Sequence, residues 1–148
     1  MSFITDIKTE FADSEVDVRE RYRLSAKETS DGVAVIYYDI YKGFMKIGYM
    51  DLRSGDNPDL YYFGNVGYHI YSPYRGHHYC YEACLKLFEI AKKEGMDELI
   101  ITCSPSNIAS YKTLLKLNGE FIETVAVPPH HELYKRGETI KCIFKYKL

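Results

Sequence analysis

The stretch Val66-Gly67-Tyr68-His69-Ile70-Tyr71-Ser72-Pro73-Tyr74-Arg75-Gly76-His77-His78-Tyr79-Cys80-Tyr81-Glu82-Ala83 reads as a strand, a tight polar turn and the opening of a helix. A short glycine-containing turn of this kind points several backbone N–H groups at one place. They lie at the positive end of the helix dipole, so the turn is a ready anion site.

Downstream, Cys80, Ala83, Cys84, Leu87, Phe88 and Ala91 fall on one face of the helix, with Lys86, Lys92 and Lys93 elsewhere and Gly95 as the stop. Leu99 to Cys103 is a continuous apolar run, the pattern of a strand buried on both faces. Ser104-Pro105-Ser106-Asn107 supplies cap residues for a second helix that ends near Asn118-Gly119. Phe121 to Val127 is expected as a strand, and Ile140 to Leu148 alternates as another.

Upstream, Val16, Val18, Tyr22 and Leu24 alternate with Asp17, Arg19, Arg21 and Arg23, a half-buried strand whose arginines are expected to face solvent. Val33 to Tyr41, Phe44 to Leu52 and Leu60 to Tyr71 are expected as three more strands, the last interrupted by Gly64 and Gly67. Residues Met1 to Ser14 are a weakly periodic lead-in. The order is four strands, helix, strand, helix, two strands. It implies an α/β class, a mixed sheet with a parallel strand–helix–strand unit, organised as one domain over residues 1–148.

The chain is 46% hydrophobic and 27% charged, an ordinary soluble composition, and its net charge of -2 argues against a general nucleic-acid binder. No run approaches the roughly 18 apolar residues of a membrane span, and no signal peptide is visible, so no membrane partner is expected and a cytoplasmic location is. Cys80 and Cys84 are spaced wrongly for a redox or zinc pair, so the cysteines are read as reduced, buried small hydrophobes. His130-His131-Glu132 suggests imidazole and carboxylate ligands, but with no partner pair it is read as a solvated loop and no metal is expected.

Arg75-Gly76-His77-His78-Tyr79-Cys80-Tyr81-Glu82-Ala83 resembles the acetyl-CoA pyrophosphate loop of the GNAT family of N-acetyltransferases, often written R-G-x-G-Y-A-x-E-A. Arg75, Gly76, Tyr79, Glu82 and Ala83 match that form. His78 stands where the loop has glycine, and Cys80 where it has glycine or alanine. Ile101 to Ser110, followed by Asn118-Gly119-Glu120-Phe121, is similar to the family's second cofactor segment, with Asn107-Ile108-Ala109-Ser110 as its N-x-x-S. Together the two segments and the strands around them cover roughly Tyr62 to Tyr146; upstream of about Gly32 the resemblance fades, and the helix pair usual after the family's first strand is not found.

The resemblance implies a GNAT-like acyl-CoA N-acyltransferase fold, a mostly antiparallel sheet binding acetyl-CoA as co-substrate. It implies direct acetyl transfer to a primary amine of a small molecule or peptide, with a homodimer left open. Arg75, Gly76, His77, His78, Tyr79 and Cys80 would hold the pyrophosphate, Asn107 and Ser110 the pantetheine arm. A backbone N–H at Ile70 or Tyr71 would steady the oxyanion. Many members place a tyrosine seven residues after the asparagine to protonate the thiolate; here that position is Leu114. A branch that modifies ribosomal proteins lacks it too and is thought to use the N-x-x-S serine, which makes Ser110 the first candidate acid and Tyr111 the second. His69 is the first candidate base, with Glu123 and Asp51 behind it. The departures at His78 and Leu114 are the features that favour a non-catalytic acyl-CoA-binding or sensor module instead.

Overall fold

The computed structural model describes residues 10–148, so most of the Met1–Ser14 lead-in lies outside the described residues. Four antiparallel strands form one sheet in the order β1-β2-β3-β4: β1 Val16–Leu24, β2 Ala34–Lys42, β3 Met45–Ser54 and β4 Val66–Ile70. The other three, β5 Glu98–Cys103, β6 Glu120–Ala126 and β7 Ile140–Lys147, form a second sheet in the order β5-β7-β6. Between them run α1 Leu60–Phe63, α2 Tyr79–Lys93, α3 Ile108–Lys116 and α4 Glu132–Lys135. A short 3-10 turn, Ala26–Glu28, makes the connection from β1 to β2, where the sequence showed no helix pair.

Helix α2 forms as its periodicity demands. Ala83, Cys84, Leu87 and Ala91 are fully buried in one core with Tyr38, Ile40, Met50 and Leu52 of the first sheet. Gly95, at φ 90°, ends the helix in the left-handed region that glycine enters freely. In the second sheet β7 is central, so Ile143 and Phe144 are both fully buried although they face opposite sides.

The strand–helix–strand unit β4-α2-β5 is present, but its strands belong to different sheets. They meet where the Asn65 N–H donates to the Ile100 carbonyl at 2.6 Å and the Asn65 Oδ1 accepts the Ile100 N–H at 2.7 Å. Gly64 is required at this junction: at φ 79°, a Cβ there would sit 3.0 Å from the Ile100 carbonyl oxygen. Beyond the junction the two strands have no ladder between them.

Four local expectations are corrected. Leu60 to Tyr71 is not one strand: Leu60–Phe63 is a helical turn closed by the Gly64 N–H on the Leu60 carbonyl, and only Val66–Ile70 pairs with β3. Leu99 to Cys103 is not covered equally on both sides. Leu99, Ile101 and Cys103 are buried, whereas Ile100 and Thr102 are half-buried under α1, where Thr102 Oγ1 donates to the Tyr62 carbonyl at 2.8 Å. Arg23 does not merely face solvent. A bulge between Glu20 and Tyr22 turns Tyr22 onto Tyr37, ring centroids 4.5 Å apart, and sends Arg23 to Glu20 and to Glu94 at the end of α2.

The fourth concerns the histidine loop. His131 is fully buried: its Nδ1 accepts the Leu133 N–H at 3.0 Å, capping α4, and its Nε2–H donates to the Asp59 carbonyl at 3.0 Å. Both ring nitrogens are thus taken by the fold.

Candidate active site

Because β4 and β5 part beyond Asn65, a wedge opens between them, and the starts of α2 and α3 close its sides. The wedge holds a cavity of about 490 Å³. At one end lies the turn after β4, where Gly76 has φ 84° and His78 has φ 64°, ψ 17°. His78 therefore adopts the left-handed conformation that glycine would hold at less cost. It is also the N-cap of α2, whose first closed turn is the Glu82 N–H on the His78 carbonyl. The unpaired amides of a 15-residue helix thus open on the cavity wall formed by Gly76, His78, Tyr79 and Cys80.

The turn is braced from behind. Phe11 packs on Tyr74 and Tyr79 with centroids 6.0 and 6.2 Å away, and the Lys42 ammonium lies over both Phe11 and Tyr79 while donating to the Ser14 carbonyl at 2.7 Å. Arg75 folds back, its Nε donating to the Ile70 carbonyl at 2.8 Å, which leaves the rest of the guanidinium at the cavity mouth. His77 is exposed, does not line the cavity, and stacks on Tyr79 with centroids 5.3 Å apart.

At the other end stand β4 and the start of α3. The Tyr71 N–H is spent on the Ile47 carbonyl at 2.8 Å. Backbone direction alternates along a strand, so the amide of Ile70 points the other way, from β3 towards the wedge. Of the two amides expected there, Ile70 is the one that faces the cavity. Asn107 caps α3: its Oδ1 accepts the Ser110 N–H at 3.2 Å, and both residues line the cavity.

Tyr68, which the sequence did not single out, points into the wedge from β4. Its hydroxyl and Ser110 Oγ are 2.5 Å apart. Burial first, then the neighbouring Cys80 thiol, pushes the Tyr68 phenol well above its ordinary pKa. Sequence alternation carried the signal, since Val66, Tyr68 and Ile70 share the face that α2 covers.

The remaining candidates divide between the cavity wall and the rest of the fold. His69 does line the cavity, between Tyr68 and Ile70, but its ring packs towards Tyr49 and Tyr71, 5.2 and 5.9 Å away centroid to centroid. Tyr111 is half-buried, packs on Phe144 with centroids 5.6 Å apart, and does not line the cavity. Leu114 is fully buried, and its carbonyl accepts the Tyr146 hydroxyl at 2.6 Å. Asp51 is engaged by the Gly67 N–H at 2.8 Å and by Arg53 at 3.1 Å, and Glu123 by the Tyr61 hydroxyl at 2.5 Å. Cys84, Cys103 and Cys142 are buried free thiols, and Cys80 is half-buried at the cavity.

A fold that splays two sheets around a helix N-terminus and a serine-lined cavity belongs to a known class. The family model described as acetyltransferase (GNAT) domain matches residues 3–120. The chain belongs to the GNAT acetyltransferase family, and the match reaches well upstream of Gly32, where the resemblance carried by the motifs fades.

Solved structures agree on the fold. The microcin C7 self-immunity acetyltransferase MccE, in complex with acetyl-CoA and AMP, superposes with a TM-score of 0.62 at 16% identity, over 77% of this chain and 61% of that one. RimL, a ribosomal L7/L12 alpha-N-protein acetyltransferase in complex with CoA, gives 0.61 at 12% identity over 77% and 62%. A GNAT-family acetyltransferase from Bacillus anthracis gives 0.59 at 16% identity over 75% and 65%. The chain thus spans about three-fifths of the length of these proteins. No curated protein matches it in sequence. Among the described residues, no helix is long and apolar enough to cross a membrane.

Proposed function

We propose that the protein binds acetyl-CoA in the wedge and transfers its acetyl group directly to a primary amine. The observation that carries this reading is one cavity lined both by the turn at the α2 N-terminus and by Ile70, Asn107 and Ser110. The helix amides of the Gly76–Cys80 turn suit a pyrophosphate, Asn107 and Ser110 flank the path of the pantetheine arm, and the acetyl carbonyl meets the Ile70 N–H. In this reading the amine nitrogen attacks the thioester carbon, the Ile70 amide takes up the developing negative charge, and the sulfur departs beside Ser110.

His69 lines the cavity with its ring turned towards Tyr49 and Tyr71, and serves as base for an amine that arrives on that side of β4. Two of the similar structures are named for microcin C7 self-immunity and for alpha-N-protein acetylation of ribosomal L7/L12. The acceptor is accordingly assigned to the amines of small molecules and peptide termini. Residues 1–148 act as one acetyltransferase domain, in the cytoplasm, without nucleic acid or membrane, as a monomer or a homodimer.

Acetyl-CoA is expected to raise the melting temperature, and at about 100 times its dissociation constant the stabilisation is about 2.7 kcal/mol. An amine panel followed by free-thiol release is expected to show turnover, with Ser110→Ala lowering kcat more than it weakens acetyl-CoA binding. Leu114, buried where many relatives carry the tyrosine acid, favours the rival reading of a non-catalytic acyl-CoA-binding module. Stabilisation by acetyl-CoA with no thiol release across the panel would select that rival.

A further inference from the structure

We infer that Tyr68 is a positioning residue that fixes the rotor of Ser110, so that the serine proton points into the cavity at the departing sulfur. The inference rests on the acetyl-transfer reading and adds to it a residue that lies outside both cofactor motifs.

The direction of the bond follows from acidity: a phenol is a stronger hydrogen-bond donor than an aliphatic hydroxyl, so Tyr68 is taken as the donor and Ser110 Oγ as the acceptor. The Tyr68 hydroxyl lies 2.5 Å from Ser110 Oγ, and either oxygen has a proton to give. Tyr68 lines the cavity beside Cys80 and packs on the core that holds Cys84 and Cys103. Thiols are weak acceptors, so a phenol proton aimed at them is left nearly unpaired. Aimed at Ser110 Oγ, it makes a short bond. Burial also keeps the phenol protonated, so it has a proton to donate across the ordinary pH range.

With Tyr68 as donor, the lone pair of Ser110 facing the core is filled and its own O–H must turn elsewhere. Among the described residues Ser110 Oγ is bonded only to Tyr68, and Ser110 lines the cavity, which is the direction left for its hydroxyl proton. A serine hydroxyl otherwise rotates freely, and a donor fixed in advance needs no reorganisation as charge builds on sulfur.

The chemical step balances without either residue losing a proton. The amine nitrogen bonds to the carbonyl carbon, the C–S bond breaks, and its electron pair stays on sulfur. Ser110 lends that thiolate a hydrogen bond. The surplus proton of the amine passes to water, and one proton from water makes the free thiol.

The test is a titration of CoA bound to the full chain, followed by the ultraviolet absorbance of its thiolate. In the wild type the bound thiol is expected to ionise about one pH unit below free CoA, the effect of one hydrogen bond to the charged sulfur. Tyr68→Phe, which keeps the ring, and Ser110→Ala are each expected to erase that shift, and the double variant to add nothing. In turnover, Tyr68→Phe is expected to lower kcat about tenfold while leaving the KM for acetyl-CoA within about twofold.

A thiol shift that survives Tyr68→Phe, or effects of the two substitutions that add, would overturn the inference. Wild-type protein that shifts the thiol but acetylates no amine would sink the acetyl-transfer reading and leave the Tyr68–Ser110 pair standing. Failure to bind CoA at all would remove both.

Discussion

His78 shows what a single residue costs at this site. Its φ of 64° and ψ of 17° are those of a left-handed residue, and it has a Cβ where the family loop has none. That conformation costs an L-residue about 1–2 kcal/mol, while glycine would lose about 0.5–1 kcal/mol more in backbone entropy on folding. His78→Gly is therefore expected to stabilise the fold by about 0.5–1 kcal/mol, measured by urea denaturation without ligand. If the imidazole donates to the pyrophosphate, the same variant will bind acetyl-CoA more weakly. A variant that is no more stable than wild type would mean the turn bears no strain. The position was legible in advance because a motif implies a backbone conformation, and the histidine breaks the motif. Tyr68 was not legible in that way: its partner Ser110 is 42 residues away, and only the fold brings the two together.

At the scale of elements, periodic segments could be read and junctions could not. Helix α2 follows from the spacing of Ala83, Cys84, Leu87 and Ala91, since a stripe at helical period has one way to be buried. Leu60 to Phe63 misled because four apolar or aromatic residues fit a strand as well as a helical turn. What decides is tertiary: Gly64 must pass close to the Ile100 carbonyl, and Thr102 needs the Tyr62 carbonyl. Asn65 has no sequence signature, yet it ties the two sheets together through Ile100 and donates its Nδ2–H to the Arg53 carbonyl at 3.0 Å. Asn65→Ala would strand the Ile100 N–H and the Arg53 carbonyl oxygen at the apex of the wedge, so a loss of about 2–3 kcal/mol is expected from chemical denaturation. Asn65→Asp keeps the acceptor for Ile100 and should lose less. A change below about 0.5 kcal/mol for the alanine variant would show that water replaces the tie and that other contacts set the opening of the wedge.

The whole molecule joins two sheets across an interior rich in phenols and thiols, and this sets its response to alkali. Burial raises Tyr38 to about 12 and carries Tyr68 and Tyr146 well above their usual value. Burial and the neighbouring Cys142 raise Cys103 to about 11. In each case the folded state holds a proton that the unfolded chain gives up more readily. Between the unfolded and folded pKa values the unfolded state binds fewer protons, so stability falls as pH rises. The loss begins near the ordinary thiol value of 9.0 for Cys103 and the ordinary phenol value of 10.0 for the tyrosines, and it continues through about 11 and about 12 for Cys103 and Tyr38. Below that window these groups contribute a constant stability. The urea midpoint is thus expected to be flat from about pH 7 to 8.5 as far as these groups are concerned, then to fall steadily, with Tyr38→Phe shallower above pH 10. Tyr38 is the cleanest probe, because its buried hydroxyl has no hydrogen-bond partner among the described residues. Phenolate absorbance supplies the opposing outcome. If all the tyrosines of the folded protein ionise together near pH 10, the interior is open to water, and the wedge cannot hold Ser110 in one orientation against the Tyr68 phenol.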